Sequence, residues 1–157
     1  MNLNIQWKKL LINLLIPLSI GGFSAFLTRN SMELYETIVQ PALAPPSWLF
    51  PVVWTLLYVL MGISAYFIFI SNSEYKIEAL TLYGIQLVLN FIWPLIFFLG
   101  QNFLIAFIII AVLWYSVLKM IQAFSAVRPL AGTLQIPYLI WLTFAAYLNL
   151  AIYFLNR

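Results

Sequence analysis

Long stretches without a charged side chain constrain this chain more than any other feature. The four longest cover residues 10–28, 37–73, 79–118 and 129–156. A helix needs about 20 mostly apolar residues to cross about 30 Å of hydrocarbon, because each residue adds about 1.5 Å. The first, second and fourth stretches each hold one such helix and the third holds two. The sequence therefore predicts five membrane-spanning helices.

The polar breaks between these stretches define the predicted architecture. Residues 100–102 divide the third stretch into two. We expect an all-α membrane protein, a bundle of five transmembrane helices that residues 1–157 form as a single domain, with a loop at 29–46 over the pocket. A membrane β-barrel is excluded, because segments such as 103–113 are apolar at nearly every position and do not alternate. The predicted spans lie near residues 10–28, 47–71, 78–99, 103–124 and 130–155.

The residue types that the chain lacks exclude several functions. There is no His and no Cys, so a His- or thiolate-based metal site or a His-dependent catalytic dyad cannot form. No Asp, Glu, Lys or Arg lies in the core of a predicted span, where pumps and proton-coupled carriers place such groups. A selective channel is disfavoured because the spans carry no charged ring. We therefore expect no metal site, no required cofactor and no nucleic-acid partner, with membrane lipid around the bundle.

The basic residues are divided unequally between the two ends of the predicted spans. One side carries five and the other side carries two. Cytoplasmic loops are enriched in Lys and Arg. The N-terminus is therefore predicted to lie on the inner, cytoplasmic side of a bacterial plasma membrane. The C-terminus and the 29–46 loop are then outside. The five inner residues are Lys8, Lys9, Lys76, Lys119 and Arg128, and the two outer ones are Arg29 and Arg157.

Aromatic and amide side chains recur at helical spacing within the spans. In the third span one face carries Tyr83, Gln86, Asn90, Trp93 and Phe97. Similar stripes contain Trp54 in the second span and Trp141 with Ala145, Leu148 and Asn149 in the fifth. The first span has a small, partly polar face at Pro17, Gly21, Ser24 and Thr28.

Two interpretations of these stripes remain open. Aromatic stripes and amides often serve helix packing and interhelical hydrogen bonding. Alternatively, the faces that carry Trp54, Asn90 and Trp141 converge in one half of the bilayer. They lie beneath the 29–46 loop, whose second half is stiffened by three prolines. A large apolar pocket with a few amides is typical of a site for a flat hydrophobic ligand.

Four groups of residues form a combined signature that covers nearly the whole chain. They are Pro17 with Gly21-Gly22-Phe23, Pro45-Pro46-Ser47-Trp48 before Trp54, Gln86 to Asn90 with Trp93-Pro94, and Pro137 to Trp141 with Leu148-Asn149. This signature resembles the TspO/MBR family of translocator proteins, also called peripheral-type benzodiazepine receptors. One position departs from the pattern: Leu43 stands where many members have Trp.

The resemblance implies a fold, a ligand class and a set of binding residues. It implies a five-helix bundle, often a homodimer, that binds porphyrins such as protoporphyrin IX, haem, sterols and aromatic drugs between the helices. The stripe of the third span adds Gln86 and Trp93 to the residues that the resemblance assigns to ligand binding. Those residues are Ala25, Tyr35, Phe50, Trp54, Asn90, Phe103, Ala106, Trp141, Ala145 and Leu148.

The end of the chain matches the sterol-recognition pattern of the family. Leu150, Tyr153 and Arg157 satisfy Leu-x-x-Tyr-x-x-x-Arg. Such patterns match many membrane helices, and an interfacial Tyr with a terminal Arg is equally typical of a membrane anchor. We favour the anchor interpretation.

Three functional hypotheses follow from these observations. The first is a membrane receptor or sensor that binds porphyrins or haem as ligands and transports them. The second, which the family resemblance implies, is an enzyme for light- and oxygen-dependent porphyrin degradation. Trp54 and Trp141 would be its redox-active residues, because an indole can lose an electron to an excited porphyrin, whereas no acid–base pair supports hydrolysis. The third is a membrane scaffold whose stripes serve packing alone.

Overall fold

All five predicted spans are helical in the structure, a computed structural model that describes residues 5–157. No β-strand occurs in this part of the chain. The five long helices are apolar enough to cross a membrane, which confirms the predicted fold class. In chain order the helices are α1 (Trp7–Thr28), α2 (Met32–Thr37), α3 (Leu49–Phe69), α4 (Lys76–Pro94), α5 (Phe103–Val127), α6 (Pro129–Thr133) and α7 (Ile136–Leu155).

The long helices form a bundle in which each helix packs on its neighbours through small or apolar residues. Helix α1 packs mainly on α3, α4 packs mainly on α5, and α5 also packs on α7. The backbones of α1 and α3 approach each other at Gly62, where a Cβ atom would lie 2.7 Å from the Cα atom of Leu14. A glycine at this position therefore allows the two backbones to approach.

The segment predicted as a loop at 29–46 is partly helical. A 3₁₀ turn at Arg29–Ser31 continues α1, and α2 follows it directly. The remaining residues up to Trp48 are irregular and include the buried Pro41 and Pro45. The short polar stretch after α1 supports helical turns because its backbone groups can bond locally, whereas the sequence prediction treated the whole of 29–46 as a loop. We call residues 32–48 the cap segment.

Two spans contain breaks that proline and polar residues explain. Pro94 lacks a backbone N–H, and beyond it the helix widens into a π-helical turn at Leu95–Leu99. The predicted fifth span is divided into α6 and α7, with Gln135 at the junction. The side chain of Gln135 is fully buried and its Nε2 donates to the carbonyl of Leu60, 3.2 Å away. These breaks shape the ends of the helices that enclose the interior.

Candidate ligand-binding cavity

A cavity of about 300 Å³ lies between α1, α3, α4 and α7, beneath the cap segment. This volume is at the lower end of the range for ligand pockets, roughly 300–1,000 Å³. The lining residues are mostly apolar or aromatic. They are Gly21, Ser24, Ala25, Thr28, Arg29, Tyr35, Phe50, Pro51, Trp54, Tyr58, Asn90, Trp93, Pro94, Phe97, Phe98, Ala145, Leu148, Asn149 and Ile152.

Aromatic rings from α3 and α4 form one continuous wall of the cavity. The ring of Trp54 stacks on Tyr58 with centroids 5.7 Å apart and lies 6.4 Å from the ring of Trp93. Trp93 in turn lies 5.6 Å from Phe97. Stacked and tilted rings of this kind present a large, rigid apolar face. Such a face suits a flat aromatic ligand.

The floor of the cavity is a hydrogen-bonded network that joins three helices. The hydroxyl of Tyr58 donates to Asn90 Oδ1 at 2.7 Å, and Asn90 Nδ2 donates to the hydroxyl of Tyr138 at 2.7 Å. Tyr138 then donates to Gln86 Oε1 at 2.9 Å. Buried polar groups need such partners, because an unpaired one costs stability. The amide of Asn90 is therefore engaged by protein groups before any ligand arrives.

A second set of polar contacts fixes the wall where α4, α5 and α7 meet. Trp93 Nε1 donates to Asn149 Oδ1 at 2.9 Å, and Asn149 Nδ2 donates to the carbonyl of Phe103 at 2.7 Å. Asn149 thus satisfies both the indole N–H and a carbonyl at the first turn of α5. The orientation of the Trp93 ring is set by this contact.

The cap segment is fastened to α7 by three hydrogen bonds. The side chain of Asn156 pairs with both backbone groups of Val39: its Oδ1 accepts from the N–H at 2.8 Å and its Nδ2 donates to the carbonyl at 2.9 Å. The hydroxyl of Tyr147 donates to the carbonyl of Ala42 at 2.8 Å. These hydrogen bonds hold the cap segment over the cavity in a defined position.

Tyr35 forms the inner surface of the cap. Its ring meets Phe50 edge-on with centroids 5.2 Å apart, and its hydroxyl donates to the carbonyl of Pro45 at 3.1 Å. Burial raises the pKa of the Tyr35 phenol, so the neutral form that donates this bond persists at all physiological pH values. Leu43, in contrast, is 81% exposed at φ 68° and does not line the cavity. This loop position contributes no stacking surface to the cavity.

Eight of the predicted ligand-binding residues line the cavity together. They come from five elements of the chain, and the sequence stripes in α3, α4 and α7 bring five of them to it. The eight are Ala25, Tyr35, Phe50, Trp54, Asn90, Trp93, Ala145 and Leu148.

The other four predicted residues lie outside the lining for distinct reasons. Gln86 is fully buried one turn below Asn90, where it accepts the bond from Tyr138. Phe103 and Ala106 stand behind Phe97 in the core, because α5 supports the wall and does not reach the cavity. Trp141 faces a groove between α3 and α7, where Leu57, Ile140 and Phe144 are among its neighbours.

The cavity also contains residues that the predicted set omitted. Arg29, Phe98, Asn149 and Ile152 are examples. Asn149 already stood on the polar face of the fifth span, and Arg29 follows the predicted Ala25 by one helical turn. That spacing is a signal that the sequence offered for Arg29.

The residues of the sterol-like pattern lie at the C-terminal end of α7, with Arg157 just beyond the last residue of the helix. Leu150 and Tyr153 are partly buried, and the guanidinium of Arg157 lies 5.1 Å from the ring centre of Phe154. None of the three lines the cavity. Asn156, which is within the same stretch, holds the cap segment.

Comparison with known proteins identifies the family. The model of the TspO/MBR family matches residues 13–155. The chain belongs to the TspO/MBR family. It is 37% identical to the Tryptophan-rich protein TspO of Chlorobaculum tepidum, over 99% of both chains. It is 39% identical to the Tryptophan-rich protein TspO of Archaeoglobus fulgidus, over 94% of this chain and 97% of the relative.

More distant relatives extend this similarity to animals. The chain is 32% identical to the Translocator protein of Homo sapiens, over 86% of this chain and 83% of the relative. Membership of this family and the five span-length apolar helices together make the chain an integral membrane protein.

Proposed function

We propose that this protein is a membrane receptor that binds porphyrins and related flat hydrophobic molecules in the cavity beneath the cap segment. The observation that carries the proposal is the aromatic wall of Trp54, Tyr58, Trp93 and Phe97 facing an apolar cavity. Relatives are named translocator and tryptophan-rich sensory proteins, which supports sensing or transport of the ligand.

The wall and the floor contribute differently to such binding. The floor amide of Asn90 already has two partners, so hydrogen bonding there adds little for a new ligand. Ring stacking and burial of apolar surface supply most of the affinity instead. This division favours a ligand with a large aromatic face over a small polar one.

Filling the cavity tests the proposal directly. Ala145 lines the cavity and is 5% exposed, so Ala145→Phe places a ring in the ligand space. We expect the affinity for protoporphyrin IX, measured by fluorescence titration of purified protein, to fall at least about tenfold.

The matched control is Ala111→Phe, which adds the same ring on the exposed face of α5. It should bind like the unaltered protein. Equal affinities for both variants and the unaltered chain would place the porphyrin outside this cavity and contradict the proposal.

Haem and metal-free protoporphyrin IX should bind about equally well. Haem iron is usually held by His, Cys, Met or Tyr. The lining has no His, Cys or Met, and its two Tyr hydroxyls donate to Pro45 and Asn90. Without an iron ligand, the metal adds no affinity to ring stacking. Parallel titrations measure both constants, and a hundredfold preference for haem would contradict this expectation.

A second candidate function is light- and oxygen-dependent degradation of the bound porphyrin. The observation that favours it is the position of Trp54 in the wall, with the rings of Tyr58, Trp93 and Tyr138 within 6.4 Å. An indole can lose an electron to a light-excited porphyrin, and neighbouring rings can share the resulting charge. Trp141, the other candidate, lies outside the lining.

The proposal includes a bacterial plasma membrane, with the N-terminus inside and the cap segment outside. The unequal division of Lys and Arg supports this orientation. Because the chain has no Cys, single cysteines placed at Asn72 and at Asn102 can be labelled from either side of the membrane. Asn72 should react from inside and Asn102 from outside, and the reverse pattern would invert the topology.

A homodimer is also part of the proposal, on the strength of the family resemblance alone. The small residues Gly21 and Ala25 in α1 both line the cavity. A side chain at Gly21 would collide with the ring of Tyr58, so this glycine serves the packing of α1 on α3 within one chain. Crosslinking in native membranes tests the dimer, and an exclusively monomeric product would count against it.

A further inference from the structure

One positive charge stands at the edge of an otherwise uncharged cavity. Arg29 is the single Lys, Arg, Asp or Glu among the residues that line it. It follows the last residue of α1 directly and is exposed, as is the neighbouring lining residue Ala25. Arg29 both lines the cavity and is exposed, so its side chain lies at an opening of the cavity near the end of α1.

The guanidinium is held in place and keeps most of its donors free. It lies 4.0 Å from the ring centre of Phe26. Its hydrogen bond within the described chain runs from Nη1 to the carbonyl of Phe26, at 3.2 Å. Arg carries five N–H donors in a rigid fork that matches a carboxylate. Stacking on Phe26 limits the motion of this fork, which lowers the cost of ordering it around a ligand.

The face of α1 below Arg29 offers further polarity to the cavity. Ser24 is 5% exposed and lines the cavity. Thr28, one turn further along α1, also lines it, and its hydroxyl donates to the carbonyl of Ser24 at 3.0 Å. Two hydroxyl-bearing side chains therefore face the cavity on the same helix as Arg29.

We propose that Arg29 binds a carboxylate of the ligand at the mouth of the cavity, so that the preferred ligands are flat apolar molecules with an acidic edge. This inference rests on the proposed porphyrin-binding function and adds the group that orients the ligand. The aromatic wall holds the ring, and the acidic edge points toward Arg29 and the solvent. A ligand with the same ring and no acid then loses the contact with Arg29 and keeps the stacking.

The test compares protoporphyrin IX, which has two carboxylates, with its uncharged dimethyl ester. The quantity of interest is the ratio of the two dissociation constants, ester over acid, measured for each protein in the same nanodiscs. Differences in partition into lipid affect every protein equally and cancel when ratios are compared. The variants are Arg29→Gln, Arg29→Lys and the control Arg128→Gln.

Arg128 is the matched control because its guanidinium stacks on Phe67 at 4.2 Å, outside the cavity lining. Arg29→Gln should lower the ratio about fivefold, since an exposed charge-assisted bond contributes about 1 kcal/mol. Arg128→Gln should leave the ratio unchanged. Arg29→Lys keeps the charge and should retain part of the preference, which also shows that the site remains folded.

Two outcomes overturn the inference, and they differ from each other. If both porphyrins bind and the ratio is the same with and without Arg29, the acid is not recognised there, while the proposed function stands. If neither porphyrin binds the unaltered protein, the proposed function itself fails and this inference fails with it.

Discussion

Replacing Trp54 with Ala is expected to weaken protoporphyrin binding about thirtyfold. The variant removes the ring that contacts Tyr58 and Trp93 in the wall, and with it the largest stacking surface for the ligand. A loss of about 2 kcal/mol is appropriate for one aromatic partner and its buried area. Fluorescence titration in nanodiscs measures the affinity, and circular dichroism confirms that the helices are retained.

Trp114→Ala provides the matched control for this prediction. Trp114 is a partly buried indole of α5 whose Nε1 donates to Thr143 at 2.8 Å, and it does not line the cavity. The Trp114→Ala variant therefore also loses one partly buried indole, as Trp54→Ala does. A scaffold whose rings serve packing alone would show reduced stability in both variants with no selective loss of binding in Trp54→Ala.

The same variant separates the receptor from the light-dependent enzyme. If the protein degrades porphyrin under illumination in air, Trp54→Ala should abolish the loss of porphyrin absorption even at saturating porphyrin. Trp141→Ala should retain most of it, because Trp141 is outside the cavity lining. A requirement for Trp141 equal to that for Trp54 would show that its ring reaches the ligand in the bound state.

Replacing Gly62 with Ala is expected to lower the unfolding temperature by about 5 °C. The added Cβ would lie 2.7 Å from the Cα atom of Leu14 and 2.8 Å from the carbonyl oxygen of Asn13. These are backbone atoms of α1, so they can move only if the whole helix shifts away from α3. Overpacking of this kind costs about 2 kcal/mol, which corresponds to that shift in temperature.

The control is Gly84→Ala, at a glycine within another long helix, and no loss of stability is expected for it. Gly84 lies within α4, and a Cβ there meets no atom within 4 Å. Alanine is the better helix former by about 1 kcal/mol, so this variant should be unchanged or slightly more stable. Thermal unfolding of both variants in the same detergent gives the comparison. Equal unfolding temperatures would show that α1 and α3 are not tightly packed at Gly62.

The spacing of polar and aromatic residues predicted which face of a helix meets the cavity better than it predicted how far along the helix the cavity extends. The stripe of α4 was visible as a spacing, and it placed Asn90 and Trp93 at the cavity. It also included Gln86, which lies on the same face one turn away but does not line the cavity, because it is buried and accepts a hydrogen bond from Tyr138. Periodicity gives the side of a helix and does not give the depth at which the cavity ends.

Trp141 illustrates a second limit of sequence reasoning. It shares a face with Ala145 and Leu148, which both line the cavity. Its own ring lies against Phe50 and Phe144 and faces the groove between α3 and α7. The direction of a large side chain depends on its rotamer and on the neighbouring helix, and neither is contained in the spacing of residues along α7.

Composition and the spacing of charges are enough to establish the class of this protein and the chemistry available to it. The eleven charges, seven basic and four acidic, leave long apolar stretches without alternation. Such stretches pair their backbone groups in lipid as helices, because a membrane barrel needs alternating apolar and polar residues. The lack of His and Cys, and of charged groups in the core of the spans, restricts the interior to stacking, hydrogen bonding and photochemical electron transfer from aromatic rings. These conclusions follow from composition and from local rules, so they need no tertiary contact.

Which of those groups a ligand can reach depends on how the helices pack. The partners of Asn90 come from α3 and α7, the cap is held by Asn156 more than a hundred residues away, and Arg29 is at the mouth because α1 ends there. Each of these facts depends on how distant helices pack against one another. Packing is a property of pairs of surfaces, and a linear pattern describes only one surface at a time.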